Sequence, residues 1–324
     1  MTQKFKVLVT RKWPNSVEEK LKENFDVTLN KNDIPLTEKE LSNAIENFDA
    51  VLSTVTDAVT DDVISTKNRK AKIIGNFGVG FNNIDIESAK KNGVVVTNTP
   101  EVLTDCTADI AMLLLLGVSR KASEGEFHVR KKEWTGWRPT HMMGTKVTGK
   151  TLGLVGMGRI AQAVAHKAHF GFNMNISFFD PYFNNLDIIK KYDARSFNSL
   201  EELLESSDFV SLHCPSTKET KGLINYDVLV KMKNNGYLIN TARGDIVVEE
   251  DLVMALENGI IKGAGLDVYE DEPTVNPKLL NLKNVFLLPH LGSATEETRE
   301  AMGMRVFSNI TAFFEGKEPP DRVV

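Results

Sequence analysis

The sequence predicts an α/β protein built from two parallel-sheet units, and three observations carry that expectation. Short β-rich runs alternate with amphipathic helical stretches along most of the chain. That is the rhythm of βαβ crossovers, hence of mostly parallel sheets with helices on their faces. The chain has 324 residues, long for one core, so two domains are the default. The alternation is also interrupted once, by a long apolar stretch and an irregular segment, and restarts near Lys150.

Composition narrows the class. The 41% hydrophobic and 26% charged fractions are ordinary for a soluble globular enzyme. A net charge of −5 leaves no electrostatic footprint for nucleic acid. No apolar run reaches the roughly 18 residues that suggest a membrane span. The opening "MTQKFKVLVTRKW" lacks the apolar core of a signal peptide. Cys106 and Cys214 are too few and too isolated for a disulfide framework or a zinc site, so no metal is expected. A cytoplasmic enzyme is the expectation.

In chain order, strand-like "FKVLVT" (5–10) precedes helical "SVEEKLKENF" (16–25), and "AVLST" (50–54) precedes "TDDVISTK" (60–67). "AKIIGN" (71–76) precedes "DIESAKKNG" (85–93) and "VVVTN" (94–98). Residues 107–127 read as one long helix, apolar nearly all round between Ile110 and Leu116 and so expected to be buried. Residues 131–150, with two Trp, a Pro and three Gly, read as an extended arm. Structureless segments of that length usually cover something or carry function. The second series has strands at 151–156, 175–180, 209–214, 237–241, 263–268 and 285–290. Helices are expected at 159–170, 199–207, 226–232, 249–259 and 296–316. The run Val285–Leu288 reads as a buried strand, stopped by Pro289 and followed at once by His290.

Two GxG pairs follow strands. Gly156–Met157–Gly158 has the whole context of a dinucleotide turn: Ala161 at the small third position, a helix at once, and Asp180 at the next strand end, 19 residues beyond Ala161. A carboxylate there suits ribose hydroxyls and repels a 2′-phosphate, and Pro181 and Tyr182 supply no cation. NAD(H) is therefore expected, with NADP(H) as the alternative. Gly78–Val79–Gly80 fails that pattern, because Asn83 stands at the third position. It reads either as a plain turn or as a nest of N–H groups for a small anion.

Polar residues collect at strand ends, where open α/β sheets bind ligands. Arg243 is either a surface ion pair or a bidentate partner for a carboxylate. Asp267 is a turn cap or a site residue. Glu272 lies in an acidic run with Glu270 and Asp271, ordinarily a solvated charge cluster. His290 is a core imidazole or a proton carrier. Together, a cation, a His and an acid beside a nicotinamide are what reduction of a 2-keto acid requires.

The stretches "GNFGVGFNNID", "TNTPEVLTDCTADIAMLLLL", "GKTLGLVGMGRIA", "HCPSTKETKGLIN", "LINTARGDIVVEEDLVMAL", "GAGLDVYEDEP" and "LLPHLGSAT" resemble the D-isomer-specific 2-hydroxyacid dehydrogenase family over essentially the whole chain. "TPEVLTDCTAD" and "GWRPTHMMG" are most similar to the glyoxylate/hydroxypyruvate reductase branch, which includes 2-ketogluconate reductases. The resemblance implies two doubly wound parallel-sheet domains. A Rossmann cofactor domain (101–292, with a dimerisation arm at about 119–150) is inserted into a flavodoxin-like substrate domain (1–100 and 293–324). The active site is then expected in the cleft between them, closing to exclude water.

It also implies roles. Arg243 binds the substrate carboxylate with the N–H groups of Val79 and Gly80, His290 is the general acid/base, and Glu272 pairs with it. Gly156, Gly158, Arg159 and Ile160 cradle the pyrophosphate, and Asp180 holds the adenosine ribose. Cys214 and Pro215 line the adenine side, Thr241 and Asp267 sit near the nicotinamide, and Ser293 follows His290 beside the cofactor. Trp137 reaches the active site of the other subunit in a homodimer, against a plain packing role for Trp134 and Trp137. The implied reaction is reduction of glyoxylate or hydroxypyruvate to the D-2-hydroxy acid. Alternatives are 2-ketogluconate or another keto acid, a D-3-phosphoglycerate dehydrogenase, and a dinucleotide-sensing corepressor-like protein. A chain ending near residue 324 lacks the regulatory extension of long phosphoglycerate dehydrogenases. Glu272 in place of Gln argues against formate oxidation, the arm differs from that of D-lactate dehydrogenases, and the absence of long disordered tails argues against a corepressor.

Overall fold

The computed structural model describes residues 4–324; residues 1–3 of the expected substrate domain lie outside the described residues. The chain begins β1 (Lys6–Val9), α1 (Asn15–Asn24), β2 (Asp26–Leu29), α2 (Glu38–Asn47), β3 (Ala50–Thr54), α3 (Asp61–Ile64), β4 (Ile73–Phe77), α4 (Ile86–Lys91) and β5 (Val95–Thr97). Next come α5 (Thr104–Ser119), α6 (Ala122–Arg130) and an irregular stretch to Lys150. The second series is β6 (Thr151–Val155), α7 (Arg159–Phe172), β7 (Asn175–Phe179), α8 (Leu186–Lys191), β8 (Arg195–Ser196), α9 (Leu200–Ser206), β9 (Phe209–Leu212) and α10 (Tyr226–Leu229). It ends with β10 (Tyr237–Asn240), α11 (Glu249–Glu257), β11 (Gly263–Leu266) and β12 (Val285–Leu287), before α12 (Glu296–Phe314).

These elements form two compact units, one of the residues up to Leu103 with Ala294–Val324, the other Thr104–Ser293. In the first, the sheet order is β2-β1-β3-β4-β5 and every neighbouring pair is parallel. That is the flavodoxin-like doubly wound order. Val7, Val9, Leu52, Ile73 and Ile74 are fully buried, as strands covered on both faces require. The last helix, α12, returns to this unit, where buried Val306 packs against β4 at Gly75. β2 and α2 are not apparent in the sequence reading. β2 is an edge strand with two of its four residues exposed, and α2 buries only Leu41, Ala44 and Ile45. What starts α2 is a capping box: Thr37 accepts from the Glu40 N–H, and Glu40 Oε2 accepts from the Thr37 N–H at 2.8 Å.

In the second unit the order is β12-β11-β10-β9-β6-β7-β8, again parallel throughout. The winding reverses between β6 and β9, which makes a ligand crevice at their carboxyl ends. Three expectations are corrected here. The helix expected at 107–127 is two helices, broken at Lys121 with φ +57°. The Ser119 carbonyl, instead of accepting from the next turn, accepts from the Thr145 N–H at 2.8 Å, so the returning arm ends α5. The apolar stretch of α5 is not buried all round, since Leu113 is 45% exposed. Finally, the strand expected at 285–290 ends at Leu287 and is a half-buried sheet edge, because only β11 flanks it. Among the described residues no helix is long and apolar enough to cross a membrane.

Thr37→Ala should cost α2 about 0.5–2 kcal/mol. Faster amide exchange at Glu40 and Leu41, with exchange in α7 unchanged, is the expected readout.

Candidate active site

The second unit gathers its polar residues at the carboxyl ends of its strands. β6 runs into Gly156, whose φ is +89°, and a Cβ there would stand 3.0 Å from the Cys214 nitrogen and the His213 carbonyl carbon. Only glycine meets both demands. Gly158 caps α7 without a side chain, and a Cβ on it would meet nothing within 4 Å. α7 therefore begins at Arg159 and Ile160 with unsatisfied N–H groups, the arrangement that holds a pyrophosphate. Ala161 is fully buried, so the helix can pack close to the sheet.

Asp180 follows β7. Its Oδ2 accepts from the Met157 N–H at 2.8 Å and its Oδ1 from the Tyr182 N–H at 3.0 Å. The carboxylate is thereby fixed beside the glycine turn, and each oxygen keeps a lone pair for a ribose hydroxyl. Cys214 and Pro215 follow β9. Burial pushes the Cys214 thiol up to about 11, and the Asp180 charge acts in the same direction. It packs as a neutral thiol. Thr241, after β10, is 8% exposed, and its Oγ1 is buried without a hydrogen-bond partner. Native structures leave few buried hydroxyls unpaired, so this atom fits a site completed by a bound dinucleotide.

Beyond β11 and β12 lies an acid–base pair. His290 Nδ1 donates to Glu272 Oε2 at 2.7 Å, and Glu272 Oε1 accepts from the Tyr269 N–H at 3.0 Å. Burial alone would raise the Glu272 carboxyl. The hydrogen bond and charge of His290, the Tyr269 N–H and the Arg243 charge outweigh burial and hold it below the usual range. Glu272 is therefore a carboxylate at neutral pH, and His290 Nε2 is the nitrogen left for a substrate.

His290 itself has φ +55°. A non-glycine residue in that region costs about 1–3 kcal/mol and persists only where its surroundings impose it. Asp267, 1% exposed, imposes it. Its carbonyl accepts from the His290 N–H at 2.9 Å, its Oδ1 from Leu291 at 2.7 Å and its Oδ2 from Gly292 at 2.8 Å. Thr107 Oγ1 then holds the Gly292 carbonyl at 2.9 Å. Burial pushes the Asp267 carboxyl up, opposed by those two N–H groups and the imidazole. The bend thus resides at His290, not at Gly292, whose φ is not positive.

Arg243 follows β10 and donates from Nη1 to the Ala242 carbonyl at 2.6 Å. Burial pushes its guanidinium down, opposed through space by Glu272 and Asp245. No direct ion pair of Arg243 occurs among the described residues, so the surface ion-pair reading fails.

In the first unit, β4 leads into Gly78–Val79–Gly80. All three carbonyls are taken: Gly78 by the Thr99 N–H at 3.0 Å, Val79 by Asn98 Nδ2 at 2.8 Å, and Gly80 by Asn76 Nδ2 at 2.9 Å. The N–H groups of Val79 and Gly80 have no acceptor among the described residues, and both residues are half-buried. Two successive N–H groups without a protein acceptor are donors open to a small anion. Asn76, Asn98, Tyr269 and Thr107 escape the sequence reading because each acts through hydrogen bonds to backbone carbonyls. Trp134 and Trp137 are 54% and 82% exposed on the irregular arm. Ser293 ends the second unit.

Residues 112–292 match the family described as D-isomer specific 2-hydroxyacid dehydrogenase, NAD binding domain. The chain is 43% identical over 322 residues to a glyoxylate reductase of Thermococcus litoralis, covering 98% of this chain and 96% of that protein. It is 38% identical over 315 residues to a glycerate dehydrogenase of Hyphomicrobium methylovorum, covering 97% and 98%. Its structure is similar to that of an NADPH-dependent glyoxylate/hydroxypyruvate reductase from Sinorhizobium meliloti in complex with NADP and malonate. The TM-score is 0.88 at 33% identity, covering 99% of this chain and 97% of that one.

Asp267→Asn replaces one acceptor oxygen by an N–H donor facing another donor. Amide exchange at Leu291 and Gly292 should accelerate about 5- to 150-fold, the equivalent of about 1–3 kcal/mol, with α7 as the unchanged internal standard.

Proposed function

The chain belongs to the D-isomer-specific 2-hydroxyacid dehydrogenase family, and from that premise we propose that it reduces glyoxylate or hydroxypyruvate to the D-2-hydroxy acid with NADH. The observation that carries this reading is the 2.7 Å bond between His290 Nδ1 and Glu272 Oε2. The names of the relatives support the substrate class, since glycerate is the reduced form of hydroxypyruvate.

Gly156, Gly158, Arg159, Ile160 and Asp180 would hold the dinucleotide, which when bound would supply the hydride for the keto carbon. Arg243 binds the substrate carboxylate through its fork of donors. Protonated His290 gives the Nε2 proton to the carbonyl oxygen as that oxygen becomes a hydroxyl. Glu272, ionised and bonded to Nδ1, favours the imidazolium that does this and fixes the ring orientation. In the reverse direction the neutral imidazole takes the hydroxyl proton.

Asp180 favours NADH, because its carboxylate would face a 2′-phosphate with no neighbouring cation at Pro181 or Tyr182. A homodimer completes the reading. The arm region exposes Phe127 (55%), Trp134 (54%), Trp137 (82%) and Met143 (67%), apolar area that a second copy would cover. Trp137 then contributes to the partner's substrate pocket. The location is cytoplasmic, in keeping with two free cysteines.

His290→Gln should lower kcat about a hundred- to ten-thousandfold while NADH affinity, read by fluorescence titration, changes little; a normal kcat would overturn the assignment. Glu272, held below the usual carboxylate range by the bond and charge of His290, the Tyr269 N–H and the Arg243 charge, should stay ionised to a lower pH than an ordinary glutamate does. Asp180→Ser should move the NADH/NADPH ratio of kcat/KM toward NADPH by about tenfold or more, for an unopposed 2′-phosphate repulsion of about 1.4 kcal/mol.

A further inference from the structure

We propose that Tyr269 is the positioning residue that registers Glu272, the His290 loop and the Arg243 turn against one another, an inference that rests on the roles given to His290 and Glu272 above. Three contacts converge on this one residue. Its N–H donates to Glu272 Oε1 at 3.0 Å, which turns Oε2 toward His290 Nδ1 at 2.7 Å. Its hydroxyl donates to the Leu288 carbonyl at 2.9 Å, two residues before His290. The Leu266 carbonyl lies farther from the same hydroxyl, at 3.4 Å, and a phenol has one proton to give. Its peptide also packs against Gly244, the residue after Arg243: a Cβ on Gly244 would stand 1.9 Å from the Tyr269 carbonyl carbon and oxygen.

The place of the hydroxyl bond matters. Pro289 has no N–H, so the Leu288–Pro289 peptide offers only an acceptor by which it can be anchored. Tyr269 takes that acceptor. On the far side, Asp267 takes the His290 N–H at 2.9 Å. The segment that aims the imidazole is thus held from both ends, and the carboxylate that pairs with it is held from the same residue. Tyr269 is 7% exposed. Burial pushes its phenol well above the ordinary range, and the charges of Asp267, Glu272 and Glu249 add to this, so it remains a donor at every working pH. The following peptide is pinned too, by the Glu270 N–H to Glu249 Oε1 at 2.8 Å. A phenylalanine would fill the same volume and lack only the Leu288 bond.

The test is steady-state kinetics of the full-length enzyme with glyoxylate, hydroxypyruvate and NADH. Tyr269→Phe should lower kcat about three- to tenfold, the loss expected for one neutral hydrogen bond. KM for the keto acid and Kd for NADH should stay within about twofold and the melting temperature nearly unchanged. In a Glu272→Gln background the same change should cost less than about twofold, because Tyr269 acts through the Glu272–His290 pair. A Tyr269→Phe enzyme with normal kcat, a loss confined to KM or to thermal stability, or full additivity with Glu272→Gln would each overturn the proposal. Impaired Glu272→Gln with silent Tyr269→Phe removes this inference and leaves the function standing. Silent Glu272→Gln, or a wild type inactive on keto acids, removes both.

Discussion

The imidazole of His290 rides on a backbone residue at φ +55°, a conformation that histidine does not choose on its own. It is held there because Asp267 spends one carbonyl and both carboxylate oxygens on three successive N–H groups, those of His290, Leu291 and Gly292. Asp267 is itself immobile, since it follows β11, an interior strand whose neighbours are β10 and β12. The strain at one residue is therefore offset by hydrogen bonds anchored in the sheet. The reach of His290 Nε2, the pairing of Nδ1 with Glu272, and the usefulness of Arg243 nearby in the same unit all follow from that clamp.

Two carboxylates of the same cluster, buried Asp267 and the more exposed Glu272, are driven in opposite directions by their partners. Asp267 is pushed up, because burial outweighs two backbone N–H groups and the imidazole charge. Glu272 is held down, because a direct bond to His290, the Tyr269 N–H and the Arg243 charge outweigh its partial desolvation. Environments that separate like groups in this way assign them different work. Asp267 shapes the loop. Glu272 keeps a charge next to the His290 ring. Arg243, desolvated and without a direct carboxylate partner among the described residues, carries a positive charge whose natural complement is a small anion.

Both sheets put their chemistry at the carboxyl ends of parallel strands, but by different devices. In the second unit the devices are side chains and one uncapped helix at the winding reversal between β6 and β9. In the first, the device is backbone: three carbonyls tied back by Thr99, Asn98 and Asn76 leave the Val79 and Gly80 N–H groups outward.

The sequence by itself determined the α/β alternation and the glycine turn that leads to Asp180, and it put Arg243, Glu272 and His290 forward as candidates. These are legible because they depend on local period, on glycine spacing and on residue types with few other uses at strand ends. Edge elements such as β2 and β8 were not legible, since a strand with one neighbour needs little apolar patterning. The break of the 104–130 helical region was hidden as well, because a residue 26 positions later, Thr145, takes the Ser119 carbonyl. Only the tertiary structure decided that Asp267 and Tyr269 hold the loop that carries His290. Their bonds end on backbone groups 19 to 25 residues away, and backbone groups look alike in every sequence. What distinguishes one is the place to which the fold brings it.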